Sequence, residues 1–381
     1  MKLHGVELVR VVIPFAREIG TAAGVHRTRT LLFVRVVTPE AEGWGECAAL
    51  DEGTAVDPPL SDVETAIAAR GVPRLVNAAA ARGGHLPAET GIAQLFGSSP
   101  VDRMMGALFE MAVADAELRL SGRSLRQALE VEDGYATLPV GAAVGIPPGH
   151  DLGLLEAQVA QAVADGAARL RLKIEPGWDL EPVAAVRARH PELVLQVDAN
   201  GSYAMDDAAR VGVLADYDVL CVEQPLPPAD LVALAEFARR IPVAVCLDES
   251  LSSPRRVRDA LRNEACRIAC LKPGRLGGMR ATRFAHAACA DAGVPVFVGG
   301  FFEAGLGRAA NLALAARLAQ SAPGLVSDVS APSSYLETDP CGYPEVHAGW
   351  VRVPDGPGVG GSPEEGLRRG LHAQRRWFRA T

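Results

Sequence analysis

The sequence predicts an α/β fold: a TIM-type (β/α) barrel in a modified form, with an N-terminal α+β capping domain. Two observations predict it. From about residue 138, short β-rich runs alternate with amphipathic stretches in units of about 25 residues, and eight such units indicate a closed parallel barrel. The first 137 residues lack this repeat and form the predicted capping domain.

The capping domain, residues 1–137, begins with two segments that read as antiparallel strands. The stretches are VELVRVVIPF and TRTLLFVRVVTPEAEGWGE, which with their connecting turn look like antiparallel strands. Helical patterns follow, and the clearest is VDRMMGALFEMAVADAELRLSG at 101–122.

The barrel is assigned to residues 138–330. Helical patterns separate its strands, as at 180–190, 230–240 and 279–293. The predicted strands are 138–145, 168–174, 193–199, 218–224, 243–249, 267–273, 295–300 and a weaker one at 324–330. The remaining segment, 331–381, is rich in Pro and Gly and is predicted to return to the capping domain.

Composition excludes several classes of function. A formal net charge of −8 disfavours nucleic acid as a partner, because phosphate binding requires a basic face. No apolar run approaches the ~18 residues of a membrane span, and charged residues interrupt the first fifteen positions where a signal peptide would be apolar. Seven scattered cysteines without a CxxC pair predict free thiols in a cytoplasmic protein. Self-association into a homo-oligomer is left open.

Five consecutive predicted strands carry a charged side chain at or near the carboxyl end. The residues are Lys173, Asp198, Glu223, Asp248 and Lys272, at spacings of 25, 25, 25 and 24. Because the carboxyl ends of barrel strands meet at one mouth, these side chains are expected to be neighbours. Three acids in that arrangement predict a site for one hard divalent cation, Mg²⁺, with Mn²⁺ as a substitute.

The two lysines flank the acids and are predicted to approach the cation from opposite sides. A lysine beside other cations has a lowered pKa and can act as a base. Arg171 lies two residues before Lys173, on the same face of the strand, and is the predicted source of that effect.

These motifs together resemble a known family. The segments RLK (171–173), DAN (198–200), EQP (223–225), DES (248–250), KPGRLGG (272–278) and GGFFEAGLG (299–307) are similar to those of the enolase superfamily, in its muconate-lactonizing branch. LKIEPGWD (172–179) and EAGLGRAANLALA (303–315) resemble the subfamily that contains o-succinylbenzoate synthases and N-succinylamino acid racemases. GWGE (43–46) and the helix at 101–122 match the capping domain of the family.

The resemblance implies a two-domain enzyme whose metal ion binds a substrate carboxylate and stabilises an enediolate after removal of the adjacent proton. It implies that Lys173 is the base and that Lys272 is either a second acid or base or a cationic stabiliser. It also implies that residues 15–27 form a mobile loop that closes over the mouth and selects the substrate. Further residues of these motifs are candidates to contact the substrate or support the ligands: Arg171, Asn200, Glu249, Arg275, Gly300, Phe301, Phe302 and Glu303.

The activity expected first is that of an o-succinylbenzoate synthase, a hydro-lyase of menaquinone biosynthesis that syn-dehydrates 2-succinyl-6-hydroxy-2,4-cyclohexadiene-1-carboxylate. The alternative is racemisation of an N-succinylamino acid by two lysine bases, and a third option is a non-catalytic carboxylate-binding protein. In each case the partner is a small-molecule carboxylate. Arg171, Ala143 and Ala304 stand where relatives carry Lys, Ser or a small hydroxyl residue, so the substrate contacts differ there.

Overall fold

The computed structural model describes residues 1–21, 24–320 and 325–380. Within them, one antiparallel sheet belongs to the capping domain, a seven-stranded parallel sheet curls into the barrel, and a small third sheet joins residues before and after the barrel. The TIM-type barrel and the α+β cap predicted from the sequence are therefore both present.

The capping sheet has the strand order β14-β1-β2-β3. Its strands are β1 (Gly5–Thr21), β2 (Gly24–Val37), β3 (Glu42–Glu46) and β14 (Ala373–Arg379). The pairing of β14 with β1 brings the C-terminal segment back to the first domain. Strands β1 and β2 continue through most of the segment predicted as a loop at 15–27, with a register shift between Pro14 and Ile19. The prediction of a loop was wrong for 15–21 and 24–27, which belong to the two strands. The mobility of this segment and its closure over the mouth stay predictions, and residues 22 and 23 lie outside the described residues.

The two glycines of GWGE allow a helix to lie directly on β3. A Cβ at Gly43 would come within 2.1 Å of the Ala112 carbonyl oxygen, and one at Gly45 within 2.1 Å of the Leu108 carbonyl oxygen. Both carbonyls belong to the long helix Pro100–Ser121, whose predicted bounds were 101–122. Glycine is needed here because the two backbones approach each other too closely for a side chain.

The barrel strands are parallel and follow chain order across the sheet. They are β5 (Gly141–Val144), β6 (Arg169–Lys173), β7 (Val194–Asp198), β8 (Val219–Glu223), β9 (Val245–Leu247), β10 (Ile268–Leu271) and β11 (Val296–Val298). Most of their residues are buried, as expected for a parallel sheet covered on both faces.

The first and last predicted barrel strands differ from the prediction. The stretch predicted as one strand at 138–145 is divided, because β4 (Thr137–Pro139) pairs with β13 (Trp350–Arg352) and only β5 enters the barrel. Strand β12 (Val346–His347) completes that small sheet. No regular strand is found in the described part of 324–330. Instead Asp328 N–H donates to Val298 O and Gly141 N–H to Ser327 O, so this segment bridges the two edges of the barrel.

The helices surround these sheets. They are α1 (Leu60–Ala66), which continues as a π-helical turn at Ile67–Gly71, α2 (Val72–Ala80), α3 (Glu89–Ile92), α4 (Pro100–Ser121), α5 (Leu125–Ala128), α6 (Leu152–Ala164), α7 (Leu180–Arg189), α8 (Ala208–Gly212), α9 (Leu231–Arg240), α10 (Pro254–Arg262), α11 (Pro273–Leu276), α12 (Met279–Asp291), α13 (Gly305–Ala319) and α14 (Glu364–Arg368). None of the helices in the described residues is long and apolar enough to cross a membrane.

A buried carboxyl group joins the two domains. Glu46, at the end of β3, is 3% exposed and accepts hydrogen bonds from the Ala304 N–H at 2.7 Å and the Gly307 N–H at 2.8 Å. The capping domain thus satisfies the first backbone donors of barrel helix α13. Burial, with a contribution from Glu303, raises the pKa of Glu46 to about 8.

Replacement of this group is expected to change the pH dependence of stability. The folded pKa of Glu46 lies above its ordinary value of 4.5, so its contribution is present in acid and is lost as the pH rises towards 8. Glu46→Gln mimics the protonated acid. It should therefore abolish the part of the fall in unfolding free energy that Glu46 causes, which is up to about 1.4 kcal/mol per pH unit. Denaturant unfolding at pH 5.5 and 8.5 measures the difference, with the exposed Glu192→Gln as control; an equal pH dependence in wild type and Glu46→Gln would contradict the assignment.

Candidate active site

The five predicted strand-end residues lie on one rim of the barrel. Lys173, Asp198 and Glu223 are the last residues of β6, β7 and β8, and they are direct neighbours in the sheet register. Asp248 and Lys272 follow β9 and β10 immediately. The constant spacing in the sequence therefore corresponds to adjacent positions around the mouth.

One lysine pairs with the first acid. The Lys173 Nζ donates to Asp198 Oδ2 and to Asn200 Oδ1, each at 2.6 Å. Asn200, which has a φ of 45°, in turn donates from Nδ2 to Glu249 Oε1 at 2.9 Å. Burial and the neighbouring Asp248 and Asp198 raise the pKa of Glu249. This chain of contacts fixes the lysine while leaving its side chain 31% exposed at the mouth.

The other lysine pairs with the third acid on the far side. The Lys272 Nζ donates to Asp248 Oδ2 at 2.7 Å, and its side chain is 12% exposed. Arg275 Nη1 donates to Asp248 Oδ1 at 2.5 Å, and its Nη2 forms an ion pair with Asp57 of the capping domain at 2.7 Å. Burial disfavours the charge of Lys272, but Asp248 outweighs it and raises the pKa of Lys272 above its usual range. Arg275 and Lys272 likewise outweigh burial and lower the pKa of Asp248.

The central acid is the most deeply buried. Glu223 is fully buried and accepts from Arg171 Nη1 at 3.1 Å with both carboxylate oxygens, as well as from Gln196 Nε2. Burial raises the pKa of Glu223 to about 8; Arg171 opposes this shift, and repulsion from Asp198 and Asp248 adds to it. The three acids therefore repel one another although each is paired with a basic side chain.

This donor set fits a divalent cation. Carboxylate oxygens are the ligands that Mg²⁺ and Mn²⁺ prefer, and a cation would offset the mutual repulsion of the three acids. Among the described residues, the side chains whose ligand atoms all lie within 4.8 Å of one another are Glu223, Asp248 and Cys270. Asp198, the third predicted ligand, is outside that group, and its carboxylate accepts a hydrogen bond from Lys173.

Arg171 has a different environment from the one predicted. Its guanidinium contacts Glu223 and also forms an ion pair with Asp328 Oδ2 at 2.8 Å. Asp328 additionally accepts from Arg169, whose other nitrogen donates to Gln196. Because Arg171 Nη1 also lies 3.9 Å from Asp198 Oδ2, three acids balance its charge, and the residue contacts Glu223 rather than acting on Lys173 alone.

The stretch from Gly300 to Glu303 forms one wall of the mouth. The Phe301 ring lies 4.8 Å from Lys272 Nζ. Gly300 has no room for a side chain, because a Cβ would come within 2.5 Å of Glu303 Oε2. The Glu303 carboxylate contacts Arg308 and accepts from Asn311, so it supports the wall and makes none of the contacts found around the lysines.

The capping domain reaches this wall through β1. The Phe15 ring lies edge-on to Phe302 at 5.7 Å, and Phe302 lies edge-on to Tyr335 at 5.4 Å. Phe302 has a φ of 58°, a conformation that is rare for a bulky side chain. Arg29 Nε donates to its carbonyl oxygen at 3.5 Å. The base of the β1–β2 hairpin therefore packs directly against the mouth.

Sequence reasoning missed several participants. Gln196 and Cys270 lie two residues before Asp198 and Lys272, so strand alternation could have found them on the same inward face. Asp328 lies in the weak last strand pattern and was within reach of the same reasoning. Asp57 had no such signal, because it comes from a loop of the other domain with no periodic pattern.

Comparison with known proteins places the chain and its fold in a wider group. Residues 154–367 match the family model described as Enolase C-terminal domain-like. A solved structure from Listeria innocua Clip11262, described as a member of the enolase superfamily, has a TM-score of 0.91, 27% identity and full coverage of both chains. The muconate lactonizing enzyme from Pseudomonas putida shares the fold, with a TM-score of 0.79 and 21% identity over 98% of this chain and 100% of that one.

Two kinds of named relative are similar along nearly the whole chain. An N-succinylamino acid racemase from an Amycolatopsis species is 41% identical over 366 residues, 95% of each chain. An o-succinylbenzoate synthase from Geobacillus kaustophilus is 35% identical over 347 residues, 89% of this chain and 88% of the relative.

Proposed function

The chain belongs to the enolase superfamily, and on that premise we propose that it is a Mg²⁺-dependent o-succinylbenzoate synthase. Its substrate is 2-succinyl-6-hydroxy-2,4-cyclohexadiene-1-carboxylate, from which it eliminates water in menaquinone biosynthesis. Relatives named o-succinylbenzoate synthase at 31–35% identity support this choice.

The observation that carries the proposal is the unequal environment of the two lysines. Lys173 is the more exposed and is held by a single carboxylate and an amide oxygen. Lys272 is enclosed by Asp248, the Phe301 ring and the wall of the barrel, and its pKa is raised. A proton-transfer group on one side of the substrate and a fixed cation on the other suit a syn-dehydration. In that reaction the proton and the hydroxyl group leave from the same face.

Asp198, Glu223 and Asp248 would hold the metal ion. Bound there, Mg²⁺ would polarise the substrate carboxylate and offset the negative charge that develops as the adjacent carbon loses its proton. Lys173 accepts that proton and returns it to the departing hydroxyl group, which leaves from the same face as water. Lys272 remains charged and stabilises the developing negative charge from the opposite side. The walls from Phe15 and Phe302 exclude water from the reacting carbon.

Racemisation of an N-succinylamino acid is the second candidate. The observation in its favour is that both lysines are present on opposite sides of one mouth, and the 41% identical relative carries that name. Racemisation requires a base on each face, so Lys272 would have to release its proton. A non-catalytic carboxylate-binding protein would need neither lysine.

The discriminating experiment compares kcat/KM for the cyclohexadiene carboxylate with kcat/KM for racemisation of several N-succinylamino acids. The proposal expects the dehydration to have the larger value at saturating Mg²⁺. A larger kcat/KM for racemisation would show that the protein is a racemase rather than a synthase. Absence of both activities would favour the non-catalytic binding protein.

Lys272→Arg separates the two reactions within one protein. Arginine keeps the charge but does not exchange protons readily, so some dehydration should remain while racemisation falls by about 10²-fold or more. Polarimetry and product absorbance measure the two rates, and Lys272→Met, which removes the charge, serves as the matched variant. Equal racemisation by wild type and Lys272→Arg would refute the two-base assignment.

A further inference from the structure

A thiol lies directly below the acids of the site. Cys270 is on β10, two residues before Lys272, and is 1% exposed. Its Sγ and one oxygen each of Glu223 and Asp248 lie within 4.8 Å of one another. We propose that Glu223, Asp248 and Cys270 form a binding site for a thiophilic divalent cation such as Zn²⁺ or Cd²⁺.

The expected preference for Zn²⁺ or Cd²⁺ over Mg²⁺ follows from the types of ligand. Oxygen ligands alone favour Mg²⁺ and Mn²⁺, whereas a thiolate favours Zn²⁺ and its heavier congeners. Two ligand atoms on a tetrahedral zinc ion are about 3.5 Å apart, given bonds of about 2.0–2.3 Å. Ligand atoms within 4.8 Å of one another therefore have to approach by about 1.3 Å at most to bind one ion.

The position of the thiol is fixed by its neighbours. A Cβ at Gly299 would come within 2.6 Å of the Cys270 Sγ, so the glycine leaves the space that the sulfur occupies. Cys221 and Cys246 lie two residues before Glu223 and Asp248 and pack with Cys270 in one buried cluster. Neither belongs to the group within 4.8 Å, so Cys270 is the thiol that reaches the acids, and Cys246 serves as an internal control.

The site shares two acids with the proposed Mg²⁺ site, so the inference rests on that placement of the metal but not on the reaction assigned. A cation held by Cys270 occupies Glu223 and Asp248, and the two ions are therefore expected to compete. The protein would bind Zn²⁺ or Cd²⁺ at moderate concentrations of Mg²⁺, and only a large excess of Mg²⁺ would displace the bound ion.

The experiment titrates EDTA-treated full-length protein with Cd²⁺ and records the near-ultraviolet sulfur-to-cadmium charge-transfer absorption. Wild type is expected to develop the band with one Cd²⁺ per chain, and excess Mg²⁺ should reverse it. Cys270→Ser should lose the band and weaken Cd²⁺ binding at least tenfold, whereas Cys246→Ser and Cys289→Ser, each lacking another buried thiol, should keep it. Glu223→Gln should also weaken Cd²⁺ binding.

Several outcomes would overturn the proposal. They are absence of the band in wild type, its survival in Cys270→Ser, and its loss in Cys246→Ser instead. Thermal unfolding checks that each variant folds, and Cys270→Ala replaces Cys270→Ser if serine destabilises the barrel. Zinc-edge X-ray absorption of wild type gives an answer without any variant, since it must show one sulfur ligand. If the Cd²⁺ charge-transfer band develops but neither the cyclohexadiene carboxylate nor an N-succinylamino acid is turned over, the proposed function is wrong and the proposed thiophilic site stands.

Discussion

Lys173→Ala is expected to reduce dehydration by about 10²- to 10⁴-fold, because that is the range that proton transfer by a positioned side chain contributes. The reason lies in the geometry: Lys173 is the exposed lysine at the mouth, held at 2.6 Å by Asp198 and by Asn200. The change also removes the cation that faces Asp198, which frees that carboxylate. Mg²⁺ binding should therefore survive or strengthen while catalysis disappears.

Two measurements check this prediction. Product absorbance gives the dehydration rate, and ¹H NMR in deuterium oxide gives the exchange of the α-proton of an N-succinylamino acid. Both should vanish in Lys173→Ala. Asn200→Ala is the matched control, because it removes the other contact of the lysine but leaves the amine, and it should retain measurable exchange. Exchange at the wild-type rate in Lys173→Ala would show that another group removes the proton.

Glu223→Gln is expected to have the second large effect, a loss of Mg²⁺ binding with the fold intact. Glu223 is the fully buried acid between the other two, and burial raises its pKa to about 8. Glutamine has the same shape and no charge, so it removes a metal ligand and also removes a charge that the folded protein holds unfavourably. The variant should therefore be at least as stable as wild type in the absence of metal and inactive in its presence.

Isothermal titration with Mg²⁺ and thermal unfolding with and without Mg²⁺ measure the two halves of this expectation. Wild type should gain thermal stability from Mg²⁺ by mass action, and Glu223→Gln should gain little. Glu249→Gln is the matched control, since Glu249 is adjacent in the chain to Asp248 but bonded to Asn200. A Glu223→Gln variant that binds Mg²⁺ as wild type does would place the metal elsewhere.

The sequence predicted the barrel and its five strand-end residues because both depend on local repetition. Buried parallel strands read as apolar runs, and their carboxyl ends recur at a nearly constant spacing. The closing segment at Ser327 and Asp328 could not be predicted in this way, since it bridges the barrel edges through a few hydrogen bonds without forming a regular strand.

Contacts between the domains were also beyond the sequence. Asp57 pairs with Arg275, and Phe15 packs on Phe302, but no pattern connects positions so far apart in the chain. The partners of Arg171 could not be predicted from the sequence either. Its charge was visible, yet its pairing with Asp328 depends on how the last segment closes the barrel.

The most direct test of the account follows wild-type protein with the cyclohexadiene carboxylate by ¹H NMR, first with EDTA and then after addition of excess Mg²⁺. The account predicts no loss of water with EDTA, conversion to o-succinylbenzoate once Mg²⁺ is restored, and no conversion by Glu223→Gln under either condition. Conversion at an undiminished rate in EDTA, or by Glu223→Gln with Mg²⁺, would contradict a metal-dependent reaction at these strand ends.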